Sequence, residues 1–212
     1  MPNRLSRAPL ALIVGGTPRD ASDAELASGL IASQDWALGE TWRRFAPMVL
    51  RTAERVIGTR TEAEDVAQEV FYQVFRRART LRDPDSLRSF VYSFAVRVLK
   101  SELRRRKRRR LLFLGAPSAT EDPLDATAAD VESRELLLRF NALLDRLSPR
   151  DRLVFVLRRM EAMTVQEIAA TMDLSISTVK RAMAHASSRL AHWVDTDPGL
   201  AAFVERKGRR SP

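Results

Sequence analysis

Apolar side chains recur at three- and four-residue spacing along almost the whole of this 212-residue chain, and runs alternating in twos are nearly absent. That spacing matches the 3.6-residue turn of an α-helix, so the pattern predicts an all-α protein. A hydrophobic content of 45% is enough to build cores for those helices.

Charge divides the chain into blocks. Residues 1–110 carry 22 basic and 13 acidic side chains, residues 111–135 carry 1 and 6, and residues 136–212 carry 13 and 8. The acidic stretch includes "GAPSATEDPLDATAAD", a composition that reads as a flexible linker. The expected plan is an N-terminal extension without structure over 1–21 and a helical domain over 22–110. An acidic linker over 111–135, a second small helical domain over 136–194 and a tail over 195–212 complete it. A net charge of +9 favours a polyanionic partner such as DNA, RNA or an acidic membrane surface. The chain has no cysteine, which removes disulfides and thiolate chemistry and fits a reducing cytoplasm. No apolar run reaches the ~20 residues that a membrane-spanning helix needs. Arg4 and Arg7 followed by Ala8 to Val14 imitate a signal peptide, but no A-x-A cleavage site follows.

In the N-terminal block, "SDAE" predicts a helix start with Ser22 and Glu25 as a capping box. A second helix runs through "ALGETWRRFAPMVLRTAERVIG" and should stop near Gly58, and a third opens with Thr61 and Glu64 as another box. In the third, Ala63, Ala67, Val70, Phe71 and Val74 suit a core. Asp65, Gln68, Glu69 and Gln73 fall elsewhere, and spacing alone allows an ordinary solvated face there. "RDPDS" then makes a turn in which Asp85 or Ser86 caps a fourth helix. Leu87, Val91, Phe94, Ala95 and Val98 form its buried stripe. Ser93, Arg97, Lys100, Arg104 and Arg108 stack on another side, with Phe90 at the margin. Cations beside an aromatic ring suit single-stranded nucleic acid, since cations neutralise phosphates and a ring stacks on an unpaired base. Phe90 fits a core position equally well. The helix ends in seven consecutive cationic residues, Arg104 to Arg110, which helical phase splits among several directions.

The C-terminal block reads as four helices. Ser148 followed by Pro149 is a cap with proline at the first helical position. Ile168, Met172, Leu174, Val179 and Ala182, with small Ala169 and with Asp173 at the turn, make a helix-turn-helix. Its second helix starts from about Ser175 or Ser177 and turns Val179, Met183, Ala186 and Leu190 inward. Ser177, Thr178, Lys180, Arg181, His185 and Ser188 are left to meet a major groove. His185 and His192 are the only histidines, and no Gly-rich phosphate loop or metal-ligand cluster stands out. No catalytic residue, cofactor or metal is therefore expected, and the chain does not read as an enzyme.

Both blocks, in this order, resemble sigma-70-family RNA polymerase sigma factors of the extracytoplasmic-function (ECF) type. The likeness covers roughly residues 22–110, a region 2-like bundle, and 136–194, a region 4-like helix-turn-helix. "EAEDVAQEVFYQVF" is similar to the family's core-polymerase-binding helix, and "SFVYSFAVRVLKSELRRR" to its promoter −10 helix. "LSPRDRLVFVLRRMEAMTVQEIAATMDLSISTVKRAMAHASSRL" is similar to its −35-binding domain. The resemblance implies that Asp65, Gln68, Glu69 and Gln73 contact core RNA polymerase. It implies that Arg88, Phe90, Arg97, Lys100, Arg104 and Arg108 meet the −10 element, where Phe90 stands in place of the usual Trp and Arg97 in place of a common Asn. The exposed face of the second helix would read −35. It further implies double- and single-stranded promoter DNA as partners, an anti-sigma factor, and a cytoplasmic protein held at the inner membrane only through that factor, without membrane insertion. A stand-alone helix-turn-helix transcriptional regulator is the alternative. It leaves the N-terminal block unexplained and would bind its operator without polymerase.

Overall fold

The structure, a computed structural model, describes residues 20–112 and 128–208. Residues 1–19 of the expected extension and 113–127 of the expected linker lie outside the described residues. Among the described residues there are nine α-helices, two short 3₁₀ turns and no strand, so the chain is all-α.

Helices α1 (Asp23–Ile31) and α2 (Asp35–Ile57) open the first domain. The capping box at α1 forms: Ser22 Oγ accepts the Glu25 N–H at 3.2 Å while the Glu25 carboxylate accepts the Ser22 N–H at 2.8 Å. Gly29 lets α2 approach closely, because a Cβ there would lie 2.7 Å from the Trp36 ring. Glu40 of α2 is buried and accepts bonds from Arg43 (2.6 Å) and Arg44 (3.2 Å). Arg44 also pairs with Asp23 at 2.8 Å, which ties α1 to α2. As expected, α2 stops at Gly58, whose φ of 89° is left-handed backbone that glycine adopts without strain.

One helix start differs from the sequence expectation, and a capped 3₁₀ turn precedes another. Helix α3 spans Arg60–Arg77, and its cap residue is Thr59, two positions before Thr61. Gly58 completes the turn by itself, so Thr59 is already extended (φ −131°) and its hydroxyl donates to Glu62 at 2.6 Å. Helix α4 spans Leu87–Leu112. The 3₁₀ turn before it, Pro84–Ser86, is capped by Asp83, which accepts the Asp85 N–H at 3.1 Å. Proline favours extended backbone in the residue preceding it, so Asp83 caps that short turn, and α4 starts at Leu87, directly after Ser86.

The second domain contains α5 (Ala128–Leu144), α6 (Pro149–Arg159), α7 (Val165–Met172), α8 (Ile176–Thr196) and α9 (Pro198–Gly208). Residues 128–135, expected as linker, thus belong to α5, and most of the expected 195–212 tail forms α9. The signal for α9 repeats that at Ser148–Pro149: Asp197 precedes Pro198 and its carboxylate accepts the N–H groups of Gly199 and Leu200, both at 3.1 Å. Leu200 is buried in a small core with Leu143, Leu144, Leu147, Ala186 and Leu190.

A larger core joins the two blocks. Leu153, Val154, Val156, Leu157 and Ile168 belong to the same buried cluster as Val91, Val96 and Leu99. Helices α6 and α7 pack on α4, and α6 also meets α2. The contact is sealed by Arg55, which donates to the Met160 carbonyl at 2.6 Å and to Glu161 at 2.7 Å. Tyr92 donates to the other oxygen of Glu161 at 3.3 Å.

Candidate nucleic-acid interface

Helix α4 has 26 residues and is about 39 Å long at 1.5 Å per residue. Leu87, Val91, Phe94, Ala95 and Val98 are buried as expected. On another side, Arg97, Arg104 and Arg108 are exposed, and Phe90, Ser93 and Lys100 half-buried. Phe90 meets Phe94 edge-on at 4.9 Å between ring centres, and the Arg97 guanidinium lies over the Phe94 ring at 5.0 Å. Phe90 is therefore both packed and accessible, at the end of a cationic stripe. Arg88 does not join that stripe. It lines a recess with Tyr92, Glu161 and Glu167 that faces the second domain.

The arginine run divides by partner. Arg106 is folded inward, donating to the Ile57 carbonyl at 2.8 Å and pairing with Glu62. Glu102 engages Arg105 at 2.8 Å and Arg109 at 3.4 Å. Arg104, Lys107 and Arg108 are exposed and extend toward solvent. The side chains available to a phosphate backbone are thus set by helical phase, and Arg104 and Arg108 prolong the stripe begun by Arg97 and Lys100.

On α3, Asp65, Glu69 and Gln73 line one wall of a groove whose other wall carries Arg97, Ser101 and Arg105. Gln73 donates to Glu69 at 2.7 Å, and Gln68 is half-buried outside the groove. Sequence reading missed Tyr72. It is 50% exposed on this face, with the Arg76 guanidinium 5.5 Å from its ring centre. Its spacing, three beyond Glu69 and four beyond Gln68, was the signal that could have found it.

The helix-turn-helix is held by a cap at the start of each of its helices and by left-handed backbone at its turn. Thr164 and Glu167 form a capping box at α7, Asp173 takes left-handed backbone (φ 53°), and Ser175 caps α8 by accepting the Thr178 N–H at 3.2 Å. Val179, Ala182, Ala186 and Leu190 are buried. Ser177, Lys180, Arg181, His185 and Ser188 are exposed together. Ser177 and Thr178 are also engaged in the cap, with hydroxyls 3.0 and 2.8 Å from Ser175 Oγ. A buried carboxylate that the sequence did not single out, Asp151 of α6, lies 3.0 Å from His185 Nδ1.

Two helical modules, one with a cationic helix and one with a helix-turn-helix, define the class. Residues 41–109 match Sigma-70 region 2 and residues 137–190 match Sigma-70, region 4. The probable ECF RNA polymerase sigma factor SigI of Mycobacterium tuberculosis is 31% identical over 82% of this chain, which spans 59% of that relative's length. The ferric citrate uptake sigma factor FecI of Escherichia coli is 33% identical over 59% of this chain and 72% of its own. CnrH, solved in complex with the cytosolic domain of CnrY, superposes with a TM-score of 0.57 at 25% identity, covering 82% of this chain and 98% of CnrH. The sigma factor RpoE from Bartonella quintana shares the fold at a TM-score of 0.56 and 19% identity, over 74% of this chain and 95% of its own. The chain belongs to the sigma-70 family, and within it to the extracytoplasmic-function group.

Proposed function

We propose that this protein is an alternative sigma factor that docks on core RNA polymerase and directs it to promoters, with no catalytic chemistry of its own. The observation that carries the reading is the order on one chain of region 2, with its exposed cationic stripe on α4, and region 4, with its recognition helix α8. In this reading the α3 face with Asp65, Gln68, Glu69, Gln73 and Tyr72 meets polymerase. Helix α8 enters the −35 major groove. The α4 stripe then holds the separated −10 strand, with cations on phosphates and Phe90 against an unpaired base, which offsets an unstacking cost of a few kcal/mol.

Region 4 lies against α2 and α4 in this structure, so engaging two separate DNA elements requires the modules to part. RpoE was solved with the anti-sigma factor NepR, and we extend that kind of partner to this chain, with the cytoplasm as its place of action. No helix among the described residues is long and apolar enough to cross a membrane.

The test is transcription from a genomic promoter pool with purified core polymerase and folded, inhibitor-free protein. Co-purification with core and discrete start sites are expected. Absence of both would sink the reading, and tight operator binding without polymerase would favour a stand-alone regulator.

A further inference from the structure

We propose that Asp151 is a positioning residue for −35 recognition: it holds His185 with Nδ1 inward, so that Nε2 is the ring atom offered to the major groove. The inference rests on α8 being the −35 helix. Asp151 stands in the first turn of α6 and is 3% exposed. Its carboxylate closes no capping box: the cap is made by Ser148 Oγ, which accepts the Asp151 N–H at 3.1 Å. Its Oδ2 lies 3.0 Å from His185 Nδ1, whereas Oδ1 is buried without a hydrogen bond, with Arg150 Nε at 3.6 Å. A buried carboxylate is costly unless partnered, so its one side-chain hydrogen bond marks what this position is for. The His185 side chain is 57% exposed and shares a recess of about 420 Å³ with Arg150, Thr178 and Arg181.

A carboxylate only accepts, so Nδ1 must carry the proton. In the neutral ring Nε2 is then an acceptor, and the groups it reads in the major groove are base amino donors, adenine N6 or cytosine N4. Guanine, thymine and phosphate offer acceptors. Asp151 thereby makes His185 a reader of an amino-bearing base, and leaves phosphate contacts to Arg150 and Arg181.

The test has two arms. In ¹⁵N-labelled full-length protein, His185 and His192 give two sets of ring signals, with His192 as the internal reference. Wild-type His185 should be the Nδ1–H tautomer. Asp151→Asn, which keeps an acceptor, should retain it, and Asp151→Leu should lose it. In holoenzyme binding to −35 duplex variants, wild type should favour adenine or cytosine at one position by roughly 3- to 10-fold, as one hydrogen bond supports. His185→Ala and Asp151→Leu should abolish that preference, Asp151→Asn should keep it, and Asp151→Leu should cost nothing further beside His185→Ala. An Nε2–H wild-type ring overturns the proposal, as does an equal loss from Asp151→Leu in both backgrounds. Where Asp151→Leu fails to fold, an unchanged preference in His185→Ala overturns it. The tautomer arm needs no polymerase, so a chain with the expected ring form that starts no transcript refutes the sigma reading and not the pairing.

Discussion

Arg55 of α2 crosses to the segment after α6, placing Nη1 2.7 Å from Glu161 Oε1. The Glu161 side chain is only 7% exposed and also accepts from Tyr92, whose hydroxyl lies 3.2 Å from Thr52. Burial, with Glu161 adding to it, pushes the Tyr92 phenol up, so it remains a donor. Two residues 106 apart in sequence thus clamp region 2 to region 4.

Removing one side of this clamp should leave a buried carboxylate with no cation. Arg55→Ala is expected to cost about 2 kcal/mol, less than a fully buried pair because Arg55 is partly wet. The double variant with Glu161→Ala should lose less than the sum of the singles. Urea unfolding of all four proteins measures the coupling, and strict additivity argues against the clamp.

The arginine run should respond unequally. Arg106→Ala removes the tie to the Ile57 carbonyl and Glu62, and is expected to destabilise by about 2 kcal/mol. Arg104→Ala and Arg108→Ala should leave the melting temperature unchanged. Each should weaken promoter binding and lower the salt slope by up to ~1. Arg105→Ala and Arg109→Ala should do less, since Glu102 engages both. Melting curves together with holoenzyme–promoter titrations at several salt concentrations separate these outcomes. Equal losses at all five would indicate a diffuse cationic tail.

Glu40 makes acid stability testable. Its bond from Arg43, helped by Arg44, holds the carboxyl below the usual carboxylate range against the opposing effect of burial. A group depressed in the folded state contributes stability above its unfolded range and loses it as pH falls through its folded value. Glu40→Gln should therefore cost about 1–3 kcal/mol near neutrality, as for a charge-assisted hydrogen bond. The gap from wild type should close under acid. A gap independent of pH between 7 and 3 would contradict this origin.

Asp173 occupies left-handed backbone (φ 53°) at the turn of the helix-turn-helix. Asp173→Gly should stabilise by up to ~1 kcal/mol, because glycine meets no Cβ penalty there. Thr164→Ala, which removes a cap on the preceding helix, should cost about 1 kcal/mol. Denaturant midpoints decide both.

The sequence by itself determined the local features. The box at Ser22, the stop at Gly58, the cap at Ser148, the left-handed Asp173 and the start of α8 depend on hydrogen bonds and dihedral preferences within a few residues. The buried stripes of α3 and α4 were equally legible, since a 3.6-residue period names the inward side of a helix. Only the tertiary structure decided what lies against those helices. Tyr92, Val96, Leu99 and Leu103 are buried outside the expected stripe of α4, because α2, α6 and α7 also cover that helix. Arg106 became a strut because Ile57 and Glu62 stand beside it, and Asp151 met His185 from 34 positions away in sequence. Periodicity says which face of a helix seeks cover. Which distant surface supplies it depends on shape and on the reach of the loops, and neither is written in any single stretch of the chain.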